Sequence, residues 1–109
     1  MLQASIPAAI ASTESPAAVI KRDGSRKSFD TAKIESAIAR AGNATGEFGA
    51  AEATRLTAQV VKVLAHRYAG RAPAIEDIQD IVEQALVAAD HIRTARAYIV
   101  YREKHKQLR

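Results

Sequence analysis

Apolar positions change their spacing along the chain, and each change marks a new element. Val19 to Arg22 and Arg26 to Phe29 are short β-type segments on either side of Asp23-Gly24. Glycine enters such a turn at positive φ without steric cost, so a hairpin is predicted. Two strands alone are marginal in water, so this hairpin must lie on helices. From Ile34 the period becomes helical: Ile34, Ala37, Ile38 and Ala41 follow the i, i+3, i+4, i+7 rule. Asp30 is the expected N-cap of this first helix, Gly42 its stop, and Asn43 to Gly49 a small-residue loop.

A second helix is predicted from about Ala50 to Tyr68, with Leu56, Val60, Val63 and Leu64 inward and Arg55, Lys62 and Arg67 outward. Gly70 and Pro73 punctuate the next connection, where Arg71 to Ala74 is expected to add a third short strand beside the hairpin. A third helix carries Ile75, Ile78, Val82, Ala85 and Leu86 on one stripe. Its acidic face, Glu76, Asp77, Asp80 and Glu83, lies towards the N-terminal half that the helix dipole prefers. Asp90 is the expected cap of a fourth helix, buried through Ile92, Ala95 and Ile99 and running to a basic end at Arg102, Lys104, His105, Lys106 and Arg109. With no stop signal after Leu108, the chain reads as the N-terminal piece of something longer.

Composition narrows the class. The 109 residues suit one domain, expected over 17–109, after an Ala/Ser/Pro-rich flexible leader at 1–16. Twenty-four residues are alanine, which favours closely packed helices over a β-sandwich. The expected fold is therefore α+β and mostly α: a four-helix bundle capped by a β-hairpin or a three-stranded sheet. A formal charge of +4 predicts a modest attraction to phosphates or polyanions. The absence of cysteine excludes a disulfide scaffold, a thiolate metal site and a cysteine nucleophile. No apolar run approaches the roughly 18 residues of a membrane span, and nothing argues for export, so the expected location is cytoplasmic.

Chemistry concentrates between Val19 and Ile34, where Lys21, Arg22, Arg26, Lys27 and Lys33 surround one tight turn and one helix start. A cation in a first helical turn faces the positive end of the dipole. An anion there would relieve the repulsion, and free backbone N–H groups already suit phosphate. A solvated basic hairpin with Lys33 in water is the alternative. A Gly-x-x-x-x-Gly-Lys-Ser/Thr loop is missing, which excludes a P-loop hydrolase. His66, His91 and His105 lack metal-ligand spacing, and the acidic face of the third helix reads as solvated surface.

Four blocks carry a resemblance. They are Val19-Ile20-Lys21-Arg22-Asp23-Gly24-Ser25-Arg26, then Phe29-Asp30 with Lys33-Ile34, then Glu76 to Glu83, then Ala95 to Arg102. Together they resemble the ATP cone, the N-terminal allosteric domain of ribonucleotide reductases. Loop and tail wording is most similar to the anaerobic ribonucleoside-triphosphate reductases. The resemblance implies a regulatory domain without chemistry of its own, to which ATP or dATP binds, with magnesium, as allosteric effector. It also implies partners in the remainder of a reductase chain and in a nucleotide-dependent homo-oligomer.

Carried over by position, the resemblance implies Val19, Lys21 and Arg22 from the first strand, Gly24 from the turn and Lys27 from the second strand. Asp30, Lys33 and Ile34 would come from the helix start, with Lys33 on the phosphates. Ile75, Ile78 and Gln79 would line the base side, and Lys104 matches a basic position near the fourth helix's end. Gln79 stands where some relatives have His, and Lys27 where others have an acidic residue. Three other readings are weighed, one of them a pure interaction domain whose pocket is idle. A basic helical nucleic-acid-binding protein suits the charge, but no aromatic stacking platform accompanies it. The ATP-cone part of a nucleotide-sensing DNA-binding repressor would require a zinc ribbon elsewhere, since this chain has no cysteine.

Overall fold

Val19 anchors the hairpin. The computed structural model describes residues 15–107, so the leader expected at 1–16 lies almost wholly outside the described residues. β1 (Ala18–Ile20) and β2 (Arg26–Ser28) pair antiparallel, with Val19 opposite Lys27. Val19 alone of the six strand residues is buried, and it joins the helical core. The strands are shorter than expected, because the turn takes residues 21–25. Lys21 N–H donates to the Ser25 carbonyl at 2.8 Å, and Gly24 sits at φ 88°. Asp23 Oδ1 accepts from the Ser25 amide and hydroxyl, which together hold its carboxyl below the usual range.

Four helices follow among the described residues: α1 (Thr31–Thr45), α2 (Ala50–Tyr68), α3 (Ile75–Ala88) and α4 (Ile92–Gln107). α1 packs on α2 and α4, and α3 packs on α2 and α4. Leu56, Val60, Leu64, Ile78, Ile81, Val82 and Leu86 fill the space between them with Ile38 and Tyr98, while Ala53 and Ala95 allow close approach of the helices. The mostly helical α+β architecture expected is thus present, with a two-stranded sheet. The third strand expected at Arg71 to Ala74 reduces to one parallel bridge, Ile20 to Ala74. The Ile20 N–H donates to Pro73 O, 2.8 Å away.

Several local expectations are corrected. Gly42 does not end α1. The helix continues to Thr45 and closes at Gly46, whose φ of 77° places it in the left-handed region. Gly42 is instead buried beneath the Phe48 ring. Val63, Ile92 and Ile99 are exposed, and Ile81 takes a core place that the predicted stripe omitted. Asp90 does not cap α4; it lies at φ 66° just after α3. The start of α4 is capped by Glu47, which comes from the α1–α2 loop. Its carboxylate accepts from Thr94 N at 2.8 Å, Thr94 Oγ1 at 2.6 Å and Arg93 N at 3.3 Å.

Candidate functional site

Two residues at the start of α1 have separate tasks. Asp30 is committed to the helix: its carboxylate accepts from Ala32 N at 3.0 Å and its carbonyl from Lys33 N at 3.1 Å. Lys33, one turn in, extends over a cleft of about 320 Å³. There it faces Lys21, Arg22 and Lys27 of the hairpin, and among the described residues no carboxylate belongs to the lining. The cations that the sequence clusters are therefore close in space. Four cations from two elements border one small volume beside the positive end of a helix.

The opposite wall is different in kind. Ile75 and Gln79 of α3 line it with Tyr101 and His105 of α4. Gln79 Oε1 is buried and has no hydrogen-bond partner among the described residues. A buried acceptor left without a donor is costly, so this oxygen can accept from a water or from an N–H brought in from outside. Tyr98, Tyr101 and His105 form a ladder along α4, with ring centroids 5.8 Å and then 4.2 Å apart. Burial pushes the Tyr98 phenol well up, so it stays neutral in an adjoining hollow that shares Lys33, Ile75, Gln79 and Tyr101 with the cleft.

Arg22 joins the walls. Its guanidinium donates to Glu76 at the start of α3 at 2.9 Å. Glu76 thus holds Arg22 at the cleft edge and competes with any anion for it.

Val19, Lys21, Arg22, Lys27, Lys33, Ile75 and Gln79, all expected from the resemblance, are brought together by the fold. Asp30, Ile34 and Ile78 line an adjoining hollow that shares Val19, Lys27, Lys33 and Ile75 with the cleft. Lys21 and Arg22 reach it from the turn rather than from β1. Gly24 stands at the turn tip, and Lys104 is an exposed residue of α4 outside the lining, where its neighbour His105 is found. The expected set omits Tyr101 and His105. Their only sequence signal is the i, i+4 spacing that places them on one side of a helix.

Among the described residues no cluster of three or more His, Cys, Asp or Glu could hold a metal ion, and no helix is long and apolar enough to cross a membrane. Among the described residues the lining has no carboxylate.

Residues 17–107 match the family of the ATP cone domain. A vitamin B12-dependent ribonucleoside-diphosphate reductase of Mycobacterium tuberculosis (strain CDC 1551 / Oshkosh) is 37% identical over 94 residues, covering 86% of this chain and 13% of that protein. An anaerobic ribonucleoside-triphosphate reductase of Haemophilus influenzae is 37% identical over 97 residues, covering 83% and 14%. The ribonucleoside-diphosphate reductase subunit alpha of Chlamydia pneumoniae is 33% identical over 99 residues, covering 84% and 10%. The chain therefore spans between 10% and 14% of the length of these relatives.

Proposed function

Because the chain belongs to the ATP-cone family, we propose that its cleft takes ATP or dATP as an allosteric effector and that the domain regulates the overall activity of a ribonucleotide reductase. The observation that carries this reading is the cation set, Lys21, Arg22, Lys27 and Lys33, gathered at the start of α1. Triphosphate is the ligand chemistry that such a set favours, through charge-assisted hydrogen bonds and helix N–H donors. The unpartnered Gln79 Oε1 supports a base with an exocyclic amino group on the other wall. Ile75 and Val19 supply apolar contact between the two ends. The domain does no chemistry in this scheme; it senses nucleotide, in the cytoplasm, for the remainder of a reductase chain.

Relatives of both the vitamin B12-dependent and the anaerobic kinds stand at 37% identity. The anaerobic reading of the loop and tail has that support and no more than the other. What the relatives share is ribonucleotide reduction, and the proposal is made at that level.

The test is calorimetric titration with ATP, dATP and adenosine at two salt concentrations. ATP and dATP bind, and adenosine binds much more weakly. A charge-assisted hydrogen bond contributes about 1.5–3 kcal/mol, so Lys33→Ala or Arg22→Ala weakens ATP binding about tenfold or more. Arg55→Ala and Lys62→Ala remove the same formal charge from exposed positions of α2 and change it little. Equal losses in all four variants would instead describe a polyanion binder, whose affinity and salt slope fall with each cation lost.

A further inference from the structure

Among the described residues, the cleft lining holds one side chain of the type whose charge changes near neutral pH, and it is His105. The residue lies in the last turn of α4. One side of its ring is occupied: the Tyr101 ring meets it at 60°, with centroids 4.2 Å apart. Its two nitrogens make no hydrogen bond or ion pair with any described residue. A neutral imidazole offers one donor and one acceptor, whereas the protonated ring offers two donors. Only the second form suits a polyphosphate, which accepts and does not donate.

The charges around the ring decide which form is present. The hairpin brings Lys21, Arg22 and Lys27 to the same cleft and α1 brings Lys33, while α3 contributes the neutral Ile75 and Gln79. Carboxylates of α3 are engaged elsewhere, Glu76 by Arg22, and Asp80 and Glu83 by Arg102. On α4 itself Lys104 and Lys106 flank His105, and Glu103 lies roughly 200° round the helix from it. The helix end favours a cation by a fraction of a charge. The four cations across the cleft oppose one by more. A polyphosphate reverses that balance, because an anion beside an imidazole favours its charged form. Proton and ligand then favour each other reciprocally.

We propose that His105 is a fifth phosphate-binding cation of the cleft, gaining its charge as the polyphosphate enters, so that nucleotide binding draws a proton from solvent. The inference rests on the nucleotide reading above and adds to it a dependence on pH. The affinity that such a group adds is fully present at low pH. It is lost as pH rises through the range in which the ring of the complex gives up its proton. A tenfold gain in proton affinity on binding is worth, by linkage, about tenfold in ligand affinity between those limits.

Calorimetric titration of the 109-residue chain with ATP and excess magnesium, at pH 7 in buffers of different ionisation enthalpy, counts the protons. Magnesium keeps the nucleotide's own phosphates deprotonated, and a proton they did carry would be released, with the opposite sign. The parent takes up about half a proton for a tenfold gain in proton affinity, and His105→Gln takes up close to none. From pH 8 to pH 6 the parent gains about sixfold in ATP affinity relative to His105→Gln. His105→Arg, whose charge is fixed, binds about as tightly at pH 8 as at pH 6. Circular dichroism establishes that each variant stays helical, as substitution of an exposed side chain allows. Equal proton counts in the parent and His105→Gln overturn the inference and leave the nucleotide reading intact, even if the variant binds more weakly, since the ring would then only pack. Absence of ATP binding at every pH overturns both.

Discussion

Gly42 is inside a helix for want of space. A Cβ on it would fall 2.3 Å from Cε1 of Phe48, whose ring is also held against His91 at a centroid distance of 4.6 Å. Alanine is favoured over glycine in a helix interior by about 1 kcal/mol. Forcing a methyl group into a filled site costs about 1–3 kcal/mol. Gly42→Ala is therefore expected to destabilise the chain, seen as a lower urea midpoint with an unchanged slope. A higher midpoint would mean that Phe48 moves aside freely. The sequence marks position 42 as special but not why, since a glycine that ends a helix and one that admits a ring are the same letter. Lys33 is the opposite case. Its place in a first helical turn is odd on electrostatic grounds alone, which made the cationic half of the cleft legible before any fold was known. Tyr101 and His105 were not legible as lining, because their approach depends on how α4 crosses α3.

The helices were legible as elements, and α2 has the bounds that its pattern predicts. Their ends and faces were less so. α4 carries apolar residues on both sides, and periodicity cannot tell which stripe the bundle buries; the choice of Ile92 and Ile99 fell on the exposed one. Its cap was sought beside it at Asp90, yet Glu47 is supplied across the fold. Nearby, Glu52 accepts from Arg55 and pairs with His91, so two carboxylates from the α1–α2 corner and α2 hold the start of α4. Hydrogen bonds from Arg55 and His91 bring the Glu52 carboxyl from the ordinary 4.5 to about 2. A depressed carboxyl contributes stability that is fully present above its unfolded value and is lost as pH falls through the folded one. Thermal stability should thus decline between about pH 4.5 and 2, and Glu52→Gln should flatten that decline while lowering stability at pH 7. A variant that melts like the parent at both ends of the range would show that the carboxylate contributes nothing.

Across the whole molecule the cleft joins parts far apart in the chain. The basic wall comes from Val19 to Lys33, the other from Ile75 to His105, and the bond from Arg22 to Glu76 spans 54 residues. Most other tertiary contact is between helices adjacent in sequence or stacked side by side, the kind that forms early in helical proteins. Contacts between sequence-distant walls carry the larger loop-closure cost, so the cleft is expected to be incomplete at the folding barrier. A nucleotide held between its walls would then act almost wholly on the reverse reaction. At 100 times its dissociation constant ATP should stabilise the folded state by about 2.7 kcal/mol, slowing unfolding in stopped-flow experiments about a hundredfold while the refolding rate hardly changes. A matching acceleration of refolding would place the cleft in the nucleus instead. If the proposed effector slows unfolding alone, the lifetime of each folded molecule would become a record of nucleotide supply, shorter when effector is scarce and longer when it is abundant, at an unchanged rate of folding.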